Sequence, residues 1–250
     1  DPAGRGATVV TFGLGRSGAP GRAGASGPAA PVSAAPVPAG FVPAGFVPDY
    51  RVDDAMLVGP GGTVLAAVED LPRSLPHDLV DGLCAAATAV AAGARVDGCR
   101  RALGAFRGLP HRVELVGEAR GVRFYDDSKA TTPGAVLAAL SGFPSAVLIA
   151  GGRNKGLDLS VLRSASDHLR AVVAIGEAAG EIVDTFRGCC PVVEAPSMAE
   201  AVGRAAAMAE TGDAVVLSPA CASFDWYTSY GARGDDFARC VRGLGSAAAR

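Results

Sequence analysis

The chain has 250 residues, 49% of them hydrophobic, enough to bury a sizeable core in one large domain or two small ones. A formal net charge of −2, only 6% aromatic residues and no basic run interleaved with aromatics argue against a nucleic-acid-binding surface. Six cysteines without a Cys-x-x-Cys spacing, three scattered histidines and no signal-peptide or membrane-spanning apolar run argue against structural zinc and a bilayer segment, and predict a soluble, cytoplasmic protein with free thiols.

Residues 1–48 stand apart in composition: 29 of the 48 are Gly, Pro or Ala and four carry charge. Such a segment has too little apolar surface to offset its ordering entropy, so it is expected to be mostly disordered apart from a short strand over 8–12. Val37 to Phe41 and Val42 to Phe46 repeat Val-Pro-Ala-Gly-Phe in tandem, too short a period for a solenoid. Gly13-Leu14-Gly15-Arg16-Ser17-Gly18 matches a dinucleotide fingerprint in letters alone. More Gly and Pro follow where a helix should open, and no acidic residue appears before Asp49, so a nicotinamide site is not expected.

Residues 49–110 read as a small unit. Met56 to Val58 and Thr63 to Val68 flank the turn signal Gly59-Pro60-Gly61-Gly62, predicting a hairpin. Leu79, Leu83, Ala87 and Val90 form one apolar stripe and predict a helix over 76–92, with Asp78 and Asp81 in its first turn, where the helix dipole favours carboxylates. A second helix is predicted over 96–106, and Gly108-Leu109-Pro110 marks the boundary.

From His111 onward helix and strand patterns alternate. Strands are predicted over 113–116, 122–125, 146–150, 171–175, 191–194 and 214–217, and helices over 133–141, 160–168, 177–186, 198–210 and 232–243. Alternation of this kind implies an α/β domain, a Rossmann-like, mostly parallel sheet with helices on both faces.

Three strand-to-loop junctions stand out. The strand over 122–125 runs into Asp126-Asp127-Ser128-Lys129-Ala130-Thr131, with Thr132 placed to cap the next helix and Pro133 to start it. The strand over 146–150 runs into Gly151-Gly152-Arg153-Asn154-Lys155-Gly156, and that over 214–217 into Ser218-Pro219-Ala220-Cys221-Ala222-Ser223-Phe224-Asp225. Parallel strands put all three loops on one edge of the sheet, where α/β ligands bind. Of the 23 cationic side chains only Lys129 and Lys155 are lysines, and both lie in these loops. Chance placement of two exposed lysines is the plain alternative. A compact ammonium aimed at a carboxylate or phosphoryl oxygen, at the tips of neighbouring parallel strands, is the reading preferred here.

Together, Gly108 to Arg112, Asp127 to Thr131, Gly151 to Lys155 and Leu217 to Asp225 resemble the C-terminal half of the Mur ligases, in particular their D-glutamate-adding members. The resemblance covers residues 49–250 and divides them into a remnant of the central ATP-binding domain, 49–110, and a C-terminal amino-acid-binding domain, 111–250. It implies a ligase of peptidoglycan-precursor synthesis, and with it a role in cell shape and division. ATP and Mg²⁺ would activate the carboxylate of UDP-N-acetylmuramoyl-L-alanine as an acyl phosphate, which the amine of D-glutamate attacks. It places Lys129, Thr131, Lys155, Ser223 and Tyr230 around D-glutamate, with Lys129 also catalytic. It places Arg112 and Asp127, together with the His77, Asp78 and Asp81 segment, near the nucleotide. Two lysines and a hydroxyl suit a dicarboxylate, and fixed cations suit the negative charge of an acyl phosphate and its tetrahedral successor. Each residue also has a local alternative: a surface cation for Arg112, a loop cap for Asp127, turn hydroxyls for Thr131 and Ser223, and packing for Tyr230.

The chain departs from the family pattern in two ways. Its 250 residues include no Gly-Lys-Thr/Ser phosphate loop, the cradle that grips phosphates and places the metal. Asp78 and Asp81 stand where the family shows amides, which removes N–H donors beside a polyphosphate. The expectation is a shortened enzyme that is inactive unaided. The alternatives are a non-catalytic D-glutamate- or nucleotide-binding relic, or a sibling such as another amino-acid-adding Mur ligase or a folylpolyglutamate synthase.

Overall fold

The computed structural model describes residues 12–14, by backbone only, and 49–247, with side chains to residue 244. The chain divides into two compact units, Asp1–Arg107 and Gly108–Arg250. The expectations for the Pro/Ala/Gly arm lie outside the described residues except at β1 (Phe12–Leu14), a strand that begins at the last residue of the predicted 8–12. Gly13 is thus extended sheet backbone, whereas the first glycine of a dinucleotide fingerprint turns the chain out of its strand.

In the first unit β1 pairs parallel with β2 (Tyr50–Asp53), and β3 (Met56–Gly59) and β4 (Thr63–Ala67) follow antiparallel. The unit is therefore a four-stranded sheet where a hairpin was predicted. β2 escaped notice because its turn carries no glycine: Asp54 and Ala55 both take positive φ, 46° and 59°, in a two-residue connection to β3. Helices α1 (Pro76–Ala91) and α2 (Val96–Ala105) follow within one residue of expectation. Leu79, Leu83, Ala86 and Ala87 of α1 pack with Tyr50, Leu57, Leu65 and Cys99 into a small core.

The second unit is a six-stranded sheet in the order β5-β6-β10-β7-β8-β9, comprising β5 (Glu114–Ala119), β6 (Val122–Asp126), β7 (Ala146–Gly151), β8 (Leu169–Ile175), β9 (Val192–Ala195) and β10 (Ala214–Ala220). All neighbours are parallel except the edge strand β5, which pairs antiparallel with β6. Every residue of β7 and β10 is buried, as continuous apolar runs covered on both faces require. On one face Val147, Ile149, Val215 and Leu217 pack against Met198 and Val202 of α5 (Met198–Met208) and Phe237 and Val241 of α6 (Tyr230–Ala247). On the other, Tyr125 stacks on Phe143 at 4.9 Å, just past α3 (Pro133–Leu140). α4 (Ala179–Phe186) connects β8 to β9.

Two local features differ from expectation. Residues 159–168 form a 3₁₀ helix, because Leu159, Leu162 and Ala165 are buried at a spacing of three, the repeat of that helix. Thr132 occupies the N-cap position of α3 with extended backbone, but its side chain makes no capping bond, and Pro133 alone marks the start. No described helix is long and apolar enough to cross a membrane, and Cys84, Cys99, Cys189, Cys190, Cys221 and Cys240 are free thiols.

Candidate functional site

The chain runs outward through β7, β8 and β9 and then returns to insert β10 between β6 and β7. That reversal is a topological switch point, and the carboxyl ends of strands at such a point form a crevice. The lysine loops therefore follow strands that flank β10 and not neighbouring strands, so the spatial reading in the sequence needs amending. Two strand steps separate β6 from β7, about 9.6 Å.

The three loops are tied together by backbone. The Ala220 N–H donates to Ala130 O at 3.0 Å on the β6 side. Arg153 and Ala222 exchange a pair of N–H to O bonds, 2.8 and 3.0 Å, on the β7 side. Ala220 itself takes φ 60°, a left-handed conformation that a non-glycine residue holds only when its surroundings over-determine it. Gly151, at φ 123°, could carry no side chain: a Cβ there would lie 2.0 Å from Ile175 O.

The β6 loop is buried. Asp126 shares a 2.7 Å hydrogen bond between Oδ2 and His111 Nδ1 and accepts from Ser128 N at 2.9 Å. Burial still holds its carboxyl above the ordinary value, against the opposing effect of His111. Asp127 accepts from the Ser218 hydroxyl at 2.7 Å and from Val113 N at 3.3 Å. Burial pushes its pKa up to about 7, with Ser218 pulling the other way. Lys129 is half-buried, with its ammonium 4.0 Å from the centre of the Tyr230 ring, a cation–π contact, and its backbone N–H bonded to His111 O. Tyr230 in turn meets the His111 ring edge-on at 6.0 Å.

The β7 loop is open to solvent. Lys155 is exposed, and no hydrogen bond or ion pair among the described residues holds its ammonium. Its neighbours shape the loop: Arg153 forks onto Glu177 at 2.7 and 2.9 Å, and Asn154 bridges Leu157 and Glu181. In the β10 loop Ser223 is 2% exposed, and its carbonyl accepts from Trp226 and Tyr227 N–H, while its hydroxyl makes no hydrogen bond among the described residues. Thr131 is half-buried beside Lys129.

Of the remaining candidates, Arg112 is exposed and close enough to act electrostatically on Asp127. His77, Asp78 and Asp81 lie in the first unit. Asp78 is engaged there, accepting from Arg73 Nε at 3.0 Å and from Leu75 N at 3.2 Å at the start of α1, and Asp81 is exposed. For a divalent cation the described residues offer one grouping, His111, Glu114 and Asp126. It does not fit Mg²⁺, which requires oxygen ligands, because the His111 and Asp126 ligand atoms are already bonded to each other.

The sequence reading missed Arg233, Ser128, Ser218 and His111. Arg233 had a signal: with Phe237 and Val241 it lies on one i, i+4, i+8 stripe of α6, and that stripe is the buried one.

Residues 111–221 match the Mur ligase glutamate ligase domain. The chain is 48% identical over 195 residues to the UDP-N-acetylmuramoylalanine–D-glutamate ligase of Frankia casuarinae, covering 76% of this chain and 41% of that protein. It is 41% identical over 207 residues to the enzyme of the same name from Thermobifida fusca, covering 78% and 44%. The chain thus spans less than half the length of these relatives. Its fold is similar to that of a UDP-N-acetylmuramate-alanine ligase from Thermotoga maritima, with a TM-score of 0.58 at 15% identity over 80% of this chain and 47% of that one. It is also similar to a pseudomurein peptide ligase type C from Methanothermus fervidus, with a TM-score of 0.57 at 11% identity over 79% and 42%. In its C-terminal part, residues 111–221, this chain matches the glutamate ligase domain of the Mur ligases and is similar to their D-glutamate-adding members.

Proposed function

We propose that the second unit is the amino-acid-binding part of a cytoplasmic, ATP-dependent ligase that joins D-glutamate to UDP-N-acetylmuramoyl-L-alanine. One observation carries the reading: three hydrogen-bonded loops at the β6, β10 and β7 carboxyl ends present Lys129, Ser223 and Lys155 around one switch point. Lys155 and Ser223 receive the two carboxylates of D-glutamate by charge-assisted hydrogen bonds. ATP supplies the phosphoryl group that turns the muramoyl carboxylate into an acyl phosphate. The D-glutamate amine then attacks the acyl carbon, an amide bond forms, and inorganic phosphate leaves. Lys129, held on Tyr230, offers a fixed cation to the charge that builds on the reacting oxygens. In this reading Arg112 contacts nucleotide phosphates, which its exposure and its electrostatic reach to Asp127 support.

Calorimetry of the 250-residue chain with D-glutamate tests the site. Millimolar or tighter binding that is lost in Lys155→Ala and absent for L-glutamate supports the reading. Equal weak heats for both enantiomers would defeat it.

A second reading, binding without turnover by these 250 residues alone, is favoured by the engagement of Asp78 with Arg73 and Leu75. It predicts that the purified chain releases no phosphate from ATP in the presence of both substrates. Substrate-dependent phosphate release would overturn it.

A further inference from the structure

Arg233 is 1% exposed, yet it forms no ion pair among the described residues. Its guanidinium is spent on oxygens of two separate loops. Nε donates to the Ser128 hydroxyl at 2.8 Å and Nη2 to the Ser128 carbonyl at 2.8 Å. Nη1 and Nη2 donate to the Cys221 carbonyl at 3.1 and 3.2 Å. Ser128 passes the link on, its hydroxyl donating to Tyr230 O at 2.8 Å. The third loop packs close by, since a Cβ built on Gly152 would come within 3.2 Å of Arg233 Nη1, and it is tied to the Cys221 loop by the Arg153–Ala222 pair of backbone bonds.

These atoms sit next to the candidate ligand-binding residues. Ser128 precedes Lys129, Cys221 lies two residues before Ser223, Gly152 lies three before Lys155, and Tyr230 lies three before Arg233 on α6. Burying a guanidinium is costly, and an apolar side chain on the stripe of Phe237 and Val241 would pack without that penalty. Lysine, with one ammonium, could not fork across the same oxygens.

We propose that Arg233 is a positioning residue: a buried guanidinium that locks the β6, β7 and β10 loops into one arrangement, so that Lys129, Ser223, Tyr230 and Lys155 present a preformed amino-acid site. Arg233 acts through Ser128 and Cys221, reaches the β7 loop through the Arg153–Ala222 backbone pair, and does not touch the ligand. The inference rests on the amino-acid-binding reading above only for the identity of the ligand.

The test pairs two measurements on the 250-residue chain, wild type against Arg233→Met, Arg233→Lys and Ser128→Ala. Hydrogen exchange without ligand reads the loops directly. Peptides covering 127–132, 151–156 and 220–225 should exchange at least about tenfold faster in Arg233→Met, with β8 and β9 unchanged. D-glutamate affinity should fall at least about tenfold in the same variant, and by less in Arg233→Lys and Ser128→Ala. A merely structural arginine would lower the unfolding midpoint and raise exchange everywhere, β8 and β9 included, and that pattern overturns the proposal. So does wild-type loop exchange in a folded Arg233→Met. If Arg233→Met does not fold, Ser128→Ala decides: faster exchange confined to the loops supports the lock, and unchanged loops refute it. If wild type does not bind D-glutamate, the ligand assignment falls while loop exchange still decides the lock.

Discussion

The loops after β6 and β7 have the same origin and opposite character. Both leave parallel strands at the switch point and both carry one of the chain's two lysines. The β6 loop is a buried hydrogen-bonded network, Asp126 with His111, Asp127 with Ser218, Ser128 with Arg233, and its lysine lies against an aromatic ring. The β7 loop is an exposed turn flanked by glycines, shaped by the surface pair Arg153–Glu177, and its lysine extends into solvent. In the proposed reading, a site built this way holds one cation in place and leaves the other to close on what arrives. The first role suits charge that develops during reaction, the second suits capture.

The comparison is most severely tested at Gly234, where a methyl group would lie 2.3 Å from both His111 Nδ1 and Asp126 Oδ2. Gly234→Ala should destabilise the second unit by about 3 kcal/mol in urea unfolding. An unchanged midpoint would show that the β6 network is not tightly packed.

Next in size is the contrast between the lysines themselves. Lys155→Ala should weaken D-glutamate binding about tenfold or more while moving stability by less than about 0.5 kcal/mol. Lys129→Ala should cost about 0.5–1 kcal/mol of stability as well, because it forfeits the contact with Tyr230. Equal stability of the two variants would erase the distinction between fixed and mobile cation.

Asp127 adds a pH dependence confined to the buried loop. Its folded pKa of about 7 lies above the unfolded value, so between about pH 4 and 7 the folded state holds a proton that the unfolded state has lost. Stability should therefore fall as pH rises through this window, by at most about 1.4 kcal/mol per pH unit, and level off above it. Asp127→Asn should remove that slope, read as the difference between wild-type and variant unfolding curves at each pH. Parallel curves would mean that the carboxyl is ionised throughout. The smallest effect is expected for Tyr230→Leu, about 0.5–1 kcal/mol, abolished in a Lys129→Ala background because the two changes remove the same contact.

Much of this was readable in the residues. The buried strands β7 and β10 show as unbroken apolar runs, and the three loops show as polar interruptions at their ends. Lysine stands out by rarity, which is a property of composition alone. β2 was hidden because Asp54 and Ala55 take left-handed backbone without the glycine that announces such a turn. The 3₁₀ helix over 159–168 is not distinguishable from an α-helix in the sequence because repeats of 3.0 and 3.6 residues differ little over ten residues. Arg233 was passed over because an arginine in an amphipathic helix is normally solvated.

What the sequence determined by itself was local: which segments are strands, which loops bear charge, and which residue types can meet a carboxylate. Periodicity and turn chemistry act over a few residues, so they are written directly in the order of the chain. Only the tertiary structure decided that β10 enters between β6 and β7, that the two lysines therefore flank a strand, and that Arg233 lies inside the protein and bonds the β6 loop to the β10 loop. Strand order and the burial of a single charge depend on how distant segments pack, and a chain whose parallel strands are joined by long crossovers does not spell that arrangement out in any one stretch.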